Sequence, residues 1–535
     1  MVKLLRTDTT LDLSQKARVV RIPNVARFLI YEHQPRTDHV TCVCLCVAIL
    51  SDCNKTQTLF HLVMSSSFQE LPDDIIREIA AHCLPEFPRP ISVRPPLSLC
   101  YISSSWRQTI QSSPEFWSIL FARTPDDGNH LRLLNQILQW FGHAKNHPLT
   151  FFLSLEFYHR EDGHPYDHSH YEGFLAQLSP IVARTRHLGL SSRDMDVFYR
   201  YLSSKSLQWN LGNLDSFDCA SDWQGYASLL PKSRRAPLVD LFKNAPRLRH
   251  LSIHGLYFSY YAIYRKFILP LSNLTTVVLE ELLDAKNWEH VIQSCPRICY
   301  GDFLLDMVSF RPSGPTNRAC LADLEFLLLE VQSFRGHSPV AQLVNLELPN
   351  LRTLRLDEKI EPRLMSPDAF GFQNFHCIHS LILTCGWFDG VDGMVQLFQR
   401  TVNVKELTLT FQNNKNSSSL FKAVSYAEPH IILPKLTSFR IQTNWQCWCG
   451  GFDTSGLPDM IKSRSASESP VGCERLQSLT FALNLRGPRD EEEAKEALHV
   501  IMLSCSAAGV AFNLTFGDWD KDKSNHRAFR GKFDG

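Results

Sequence analysis

The sequence predicts an α/β protein: an N-terminal three-helix module followed by an irregular solenoid whose short strands line up as a parallel, concave sheet. Two observations carry this expectation. Between residues 71 and 120, three short stretches combine helix-start signals with apolar residues at helical spacing. From residue 248 to residue 404, an apolar triplet of the form Leu-x-x-Leu-x-Leu returns every 24 to 27 residues.

Composition sets the frame. A chain of 535 residues has room for two or more domains. Hydrophobic residues make up 44% and charged residues 21%, the usual balance of a folded globular protein. Lys+Arg and Asp+Glu are equal at 55 each, so there is no electrostatic footprint for nucleic acid or an anionic membrane, and protein partners are expected. Sixteen cysteines lie scattered without disulfide-framework spacing, which fits a reducing compartment, cytoplasmic and/or nuclear. The apolar run Val40 to Leu50 is too short to span a bilayer and reads as a buried strand. Residues 1–65 read as an atypical extension or a gene-model artefact, because Met64 precedes the helical module like a natural chain start.

In the first helix Pro72 suits the opening position, and Asp73 and Asp74 favour the positive end of the helix dipole. Ile75, Ile79 and Cys83 recur at four-residue spacing beside Ile76 and Ala80, and Pro85 stops the pattern. A Pro-rich connection runs from Pro85 to Pro96. A second helix is predicted from Leu97 to Gln111, with Leu99, Ile102, Trp106 and Ile110 on one face. Ser113 and Pro114 should cap a third helix carrying Phe116, Trp117, Ile119 and Leu120.

These residues resemble an F-box: Leu71-Pro72 with Asp74, then Ser103-Ser104-Ser105-Trp106-Arg107, then Pro114-Glu115-Phe116-Trp117. The resemblance spans residues 66–122, and the helix-then-strand order expected over residues 123–180 resembles the F-box proteins of mushroom-forming fungi. It departs from the family pattern in having Ser103 where Cys is usual, and in a long 85–96 connection. It implies docking onto a Skp-type adaptor and through it onto a cullin–RING ubiquitin ligase. By the same resemblance Leu71, Pro72, Ile75, Ile79 and Leu84 would enter the adaptor groove, with Leu97 and Trp106 supporting the face. Trp106 and Trp117 also read as plain core packing.

Residues 123–180 should link the module to the solenoid and cap it, with a helix over Leu131–Trp140 and a first strand over Pro148–Leu155. The repeat region is predicted over 181–516. Its triplets are Leu248/Leu251/Ile253, Leu274/Val277/Leu279, Leu324/Leu327/Leu329, Leu351/Leu354/Leu356, Ile378/Leu381/Leu383, Val404/Leu407/Leu409, Leu436/Phe439/Ile441 and Leu476/Leu479/Phe481. Weaker copies are Thr185/Leu188/Leu190, Leu214/Phe217/Cys219 and Ile298/Gly301/Phe303. The interval is that of a leucine-rich repeat, in which each copy adds one strand and only stacked neighbours bury the apolar face. Most copies lack the Asn of a tight leucine-rich turn, so the arc should be irregular. Ala285–Ser294 and Asp392–Gln399 are expected as helices or turns on the other face. A helix over Asp490–Ser504 and a closing strand over Val510–Phe516 should end the array, with a disordered tail at 517–535.

In register, the concave face would present His250, Ser252 and His254, then Thr276, Val278 and Glu280, then Phe326, Leu328 and Glu330, then Thr353, Arg355 and Asp357. Glu406, Thr408, Arg440 and Gln442 would follow. The candidate substrate contacts are His250, His254, Phe326, Leu328, Arg355, Asp357 and Arg440; Phe326 and Leu328 stand out as apolar residues expected in the open. The insertion Thr443–Cys473 could carry function through Trp445 and Cys447-Trp448-Cys449. A lone Cys-x-Cys lacks a second ligand pair, and His164, Asp167, His168 and His170 match no metal spacing. No phosphate loop, metalloprotease motif or nucleophile elbow is found. The expectation is a non-enzymatic substrate receptor without metal or cofactor, binding the Skp-type adaptor and an unknown protein target. The alternatives are an adaptor-bound scaffold outside the ligase, a leucine-rich-repeat binding protein, or a metal-dependent enzyme using the His164–His170 cluster.

Overall fold

The computed structural model describes residues 15–22, 25–33, 44–46, 71–85, 88–90, 94–124, 130–155, 169–192, 201–204, 207–221, 239–254, 267–306, 319–332, 346–358, 375–384, 391–411, 417–425, 431–444, 452–465, 472–485 and 488–516. The protein is α/β, with a fourteen-stranded parallel, open sheet and eleven α-helices among these residues. Sheet order follows chain order. The strands are β1 (Ile119–Arg123), β2 (Leu149–Leu155), β3 (Thr185–Ser192), β4 (Ser216–Ser221), β5 (His250–His254), β6 (Thr276–Leu283) and β7 (Tyr300–Asp306). They continue as β8 (Phe326–Gln332), β9 (Thr353–Glu358), β10 (Ser380–Thr384), β11 (Glu406–Phe411), β12 (Ser438–Asn444), β13 (Ser478–Asn484) and β14 (Ala511–Phe516). Two small sheets stand apart: antiparallel Gln15–Ile22, Val25–His33 and Cys44–Cys46, and the pair Ala319–Cys320 with Leu346–Glu347. The chain divides into two compact units, residues 1–188 with 208–210, and residues 189–207 with 211–535.

In the first unit the helices are α1 (Asp73–Cys83), α2 (Ser104–Ser112), α3 (His130–His143), α4 (Ser169–Gln177) and α5 (Ser179–Val182). Three expectations are corrected here. The second helix does not run unbroken from Leu97: a 3-10 turn at Ser98–Tyr101 is separated from α2 by Ser103, which is extended and accepts a bond from Trp106 N as the N-cap. The third helix is one 3-10 turn, Pro114–Trp117, after which Ile119–Arg123 extends into β1. A short apolar run fits helix or strand equally, and here pairing with β2 decides. The first strand of the sheet is therefore β1 rather than the segment at 149–155.

All the predicted triplets, weak ones included, fall on strands or their entrances, and all but Thr185/Leu188/Leu190 lie wholly in the second unit. Their second and third apolar residues form two rows in register. One runs Leu251, Val277, Gly301, Leu327, Leu354, Leu381, Leu407, Phe439 and Leu479, the other Ile253, Leu279, Phe303, Leu329, Leu356, Leu383, Leu409, Ile441 and Phe481. The side chains in both rows are buried. Gly301 interrupts the first row for a reason: a Cβ there would sit 2.6 Å from the Phe303 ring, so the glycine gives the aromatic its space. Strands β5 to β13 are each entered through the same backbone bond, from Arg249, Thr275, Cys299, Glu325, Arg352, His379, Lys405, Thr437 and Gln477 N–H to the corresponding carbonyl one strand earlier, at 2.8–2.9 Å. This repeated bond lets unequal repeats keep one register.

The helices of this unit are α6 (Ala285–Ser294), α7 (Val391–Arg400), α8 (Ser417–Val424), α9 (Leu457–Ser465), α10 (Pro488–Ala497) and α11 (His499–Ala508). The predicted helix over 490–504 is two helices that part at Leu498, and α11 ends at Gly509, whose φ of 68° suits a left-handed cap. The insertion after Thr443 holds α9, whose Arg464 is fully buried and donates to the carbonyls of Val424, Leu433 and Ile432. The tail at 517–535 and Cys447-Trp448-Cys449 lie outside the described residues.

Candidate functional site

Two surfaces match the predicted site residues, one in each unit. In the first unit, α1 divides its isoleucines between two faces. Ile76 and Ala80 are fully buried, whereas Ile75 is 41% exposed, with Leu71, Ile79, Leu84 and Leu97 half-buried and Pro72 exposed. Asp73 does more than favour the helix dipole: its Oδ1 accepts from Thr109 Oγ1 at 2.6 Å and ties α1 to α2. Trp106 has no exposed surface and so does not reach this face. Trp117 is equally internal; its Nε1 donates to Ile110 O at 2.8 Å and its ring meets Trp140 edge-on at 5.0 Å. Arg107 Nε caps Cys100 O at 3.2 Å. Trp106 and Trp117 thus belong to the core, and of the isoleucines of α1 Ile75 is left exposed and Ile79 half-buried.

In the second unit, the residues that alternate with the two apolar rows lie on the opposite sheet face. One row contains His250, Thr276, Tyr300, Phe326, Thr353, Ser380, Glu406 and Ser438, and the next Ser252, Val278, Asp302, Leu328, Arg355, Ile382, Thr408 and Arg440. A third row includes Glu330, Asp357, Thr384, Thr410 and Gln442, all buried. Leu328 is 3% exposed, which corrects its reading as an open apolar contact. Phe326 is half-buried and stacks on Tyr300 with ring centroids 4.5 Å apart and planes 6° from parallel. The stack explains how an aromatic is kept at that strand position.

The charged candidates are tied to neighbours. Arg355 Nε donates to Asp357 Oδ2 at 2.9 Å, and Thr384 Oγ1 donates to Asp357 Oδ1 at 3.2 Å. His254 Nδ1 lies 3.0 Å from Glu280 Oε2, and its Nε2 lies 2.7 Å from Ser252 Oγ. Hydroxyl, imidazole and carboxylate stand in the order of an activated serine. The strand that carries Ser252 and His254 is β5, paired with β4 on one side and β6 on the other, so the sheet ladder occupies its own backbone donors. The set holds the His254 ring in place. His250 is exposed at the start of β5, and Arg440 is half-buried.

Tyr300 and Asp302 were missed in the sequence because their copy, Ile298/Gly301/Phe303, carries glycine for leucine. Its spacing alone would have placed them on this face. No group of three or more His, Cys, Asp or Glu able to hold a metal occurs among the described residues, and His164, Asp167 and His168 lie outside them. Burial pushes the thiols of Cys83, Cys100 and Cys505 up to about 11 and that of Cys295 up to about 12, which keeps them protonated and poorly nucleophilic. No helix among the described residues is long and apolar enough to cross a membrane. No model of a known protein family matches the chain, and no curated protein matches it.

Proposed function

We propose that the protein is a substrate receptor of a Skp–cullin–F-box ubiquitin ligase, with an F-box over residues 66–122 that binds the Skp-type adaptor and a leucine-rich-repeat-like solenoid over 181–516 that binds a protein target. The observation that carries this reading is the division of α1: in a Leu-Pro-started helix, Ile76 and Ala80 serve the core while Ile75 is spent on solvent. Ile75 and Ile79 on this helix, with Leu71 before it and Leu84 just after it, leave apolar surface in the open and have the form of an anchor set for a partner's groove, where a few central apolar residues supply most of the binding energy. The long face of Tyr300, Phe326, Arg355 and Arg440 offers mixed aromatic and polar chemistry suited to a protein surface. Such a receptor works in the cytoplasm or nucleus and does no covalent chemistry itself; it raises the local concentration of target lysines near a recruited conjugating enzyme.

The test is co-purification with a Skp-type adaptor, comparing the wild-type chain with a Leu71→Ala, Pro72→Ala, Ile75→Ala variant. The expected result is a stable wild-type complex and a loss of about 3 kcal/mol or more in the variant, over a hundredfold in affinity, with unchanged circular dichroism. Failure of the folded wild-type chain to retain the adaptor would overturn the reading.

A further inference from the structure

The last strand of the sheet is built as though another strand should follow it. Among the described residues β14 is hydrogen-bonded to β13 alone. Ala511 N–H donates to Gln477 O at 2.8 Å. In a parallel ladder a residue turns both backbone groups to the same neighbour, and successive residues alternate. Ala511, Asn513 and Thr515 therefore address β13, while Phe512, Leu514 and Phe516 turn N–H and C=O outward. The side chains of those three residues continue the apolar rows, in register with the buried Leu479, Phe481 and Leu483, yet they are only half-buried because the core stops there. The neighbouring helix α11, packed on β14, has a matching open side. Val500 is 62% and Leu503 54% exposed, and Ala507 extends the same stripe at the next helical step. The strand carries neither a charge nor a proline, the usual means of keeping an edge unpaired.

The sequence of the edge indicates what covers it. Phe512-Asn513-Leu514-Thr515-Phe516 reads nearly the same in both directions. Only a partner strand of the same sequence running antiparallel would use that symmetry. With a two-fold axis through Leu514, Leu514 faces the partner's Leu514, Phe512 faces the partner's Phe516, and Asn513 faces the partner's Thr515. Like meets like on each sheet face, and all three outward residues form two-bond pairs. We propose that the β14 edge is a two-fold interface at which a second copy of this chain continues the sheet, with the exposed stripe of α11 meeting its symmetry mate over the joined core. The interface is independent of adaptor binding.

Sedimentation velocity on the full-length chain across a wide concentration range tests this. The expected result is a species that rises from 61.3 kDa to twice that mass as concentration increases. Leu514→Lys should abolish it. Val500→Glu, at a position too exposed to affect folding, should weaken it by at least about tenfold, a change of 1.4 kcal/mol. A monomer at every concentration would overturn the proposal. So would a dimer indifferent to both variants, or dimerisation that appears only after removal of residues 517–535, which would make the chain's own tail the occupant of the edge.

Discussion

The two end strands of the sheet were dealt opposite treatments. At β1, the outward N–H of Phe121 donates to Pro88 O at 2.8 Å, the Arg89 guanidinium lies 4.8 Å from the Phe121 ring centroid, and Leu120, Phe121 and Ala122 are buried. The connection after α1, which in the sequence is only a proline-rich spacer, closes that edge. At β14, exposed and half-buried residues alternate and no such strap is described. A stack of repeats buries its middle by itself, but an end needs something foreign to the repeat. At β1 the helical module supplies it, so that module is part of the sheet's stability as well as a candidate docking surface.

The sharpest way to break this contrast is one substitution made at both ends. Ala122→Lys places a charge where the structure leaves no exposed surface, and should destabilise the first unit by at least about 3 kcal/mol in urea titrations. A smaller, localised loss is expected from Arg464→Met. It removes the Arg464 donor from the carbonyls of Val424 and Ile432 and leaves Leu433 O with Leu436 N–H alone, which should cost about 2 kcal/mol. Because Leu476 N–H bonds Arg464 O just before β13, hydrogen exchange should speed up in β13 and β14 and stay unchanged in β1. The least effect belongs to Ala511→Lys. At this exposed edge position stability should stay within about 0.5 kcal/mol of wild type, and equal damage from the two lysines would remove the distinction between the ends.

Much of the second unit was legible because its signal is repeated. Leucines at fixed intervals can satisfy their burial only by lying side by side, so register followed from spacing, even where Gly301 stands in a leucine's place. Short apolar runs next to a turn were not legible: Ile119 to Ala122 fits helix or strand until β2 is available as a partner. Nor was the state of side chains on the polar face. Alternation put Leu328 and Phe326 there, but nothing in the sequence distinguished a buried leucine from an open one, or revealed that Tyr300 lies flat against Phe326.

By itself, then, the sequence determined the α/β class, the row positions of the strands, and which helix begins at Leu71-Pro72, since all of these follow from local periodicity and start signals that any stretch carries within itself. Tertiary structure alone decided that Trp106 is buried and Ile75 exposed, that His254 is held between Ser252 and Glu280, and that among the described residues β1 is covered at its edge and β14 is not. Burial and closure depend on what a distant segment brings alongside, and one stretch of chain does not contain that information.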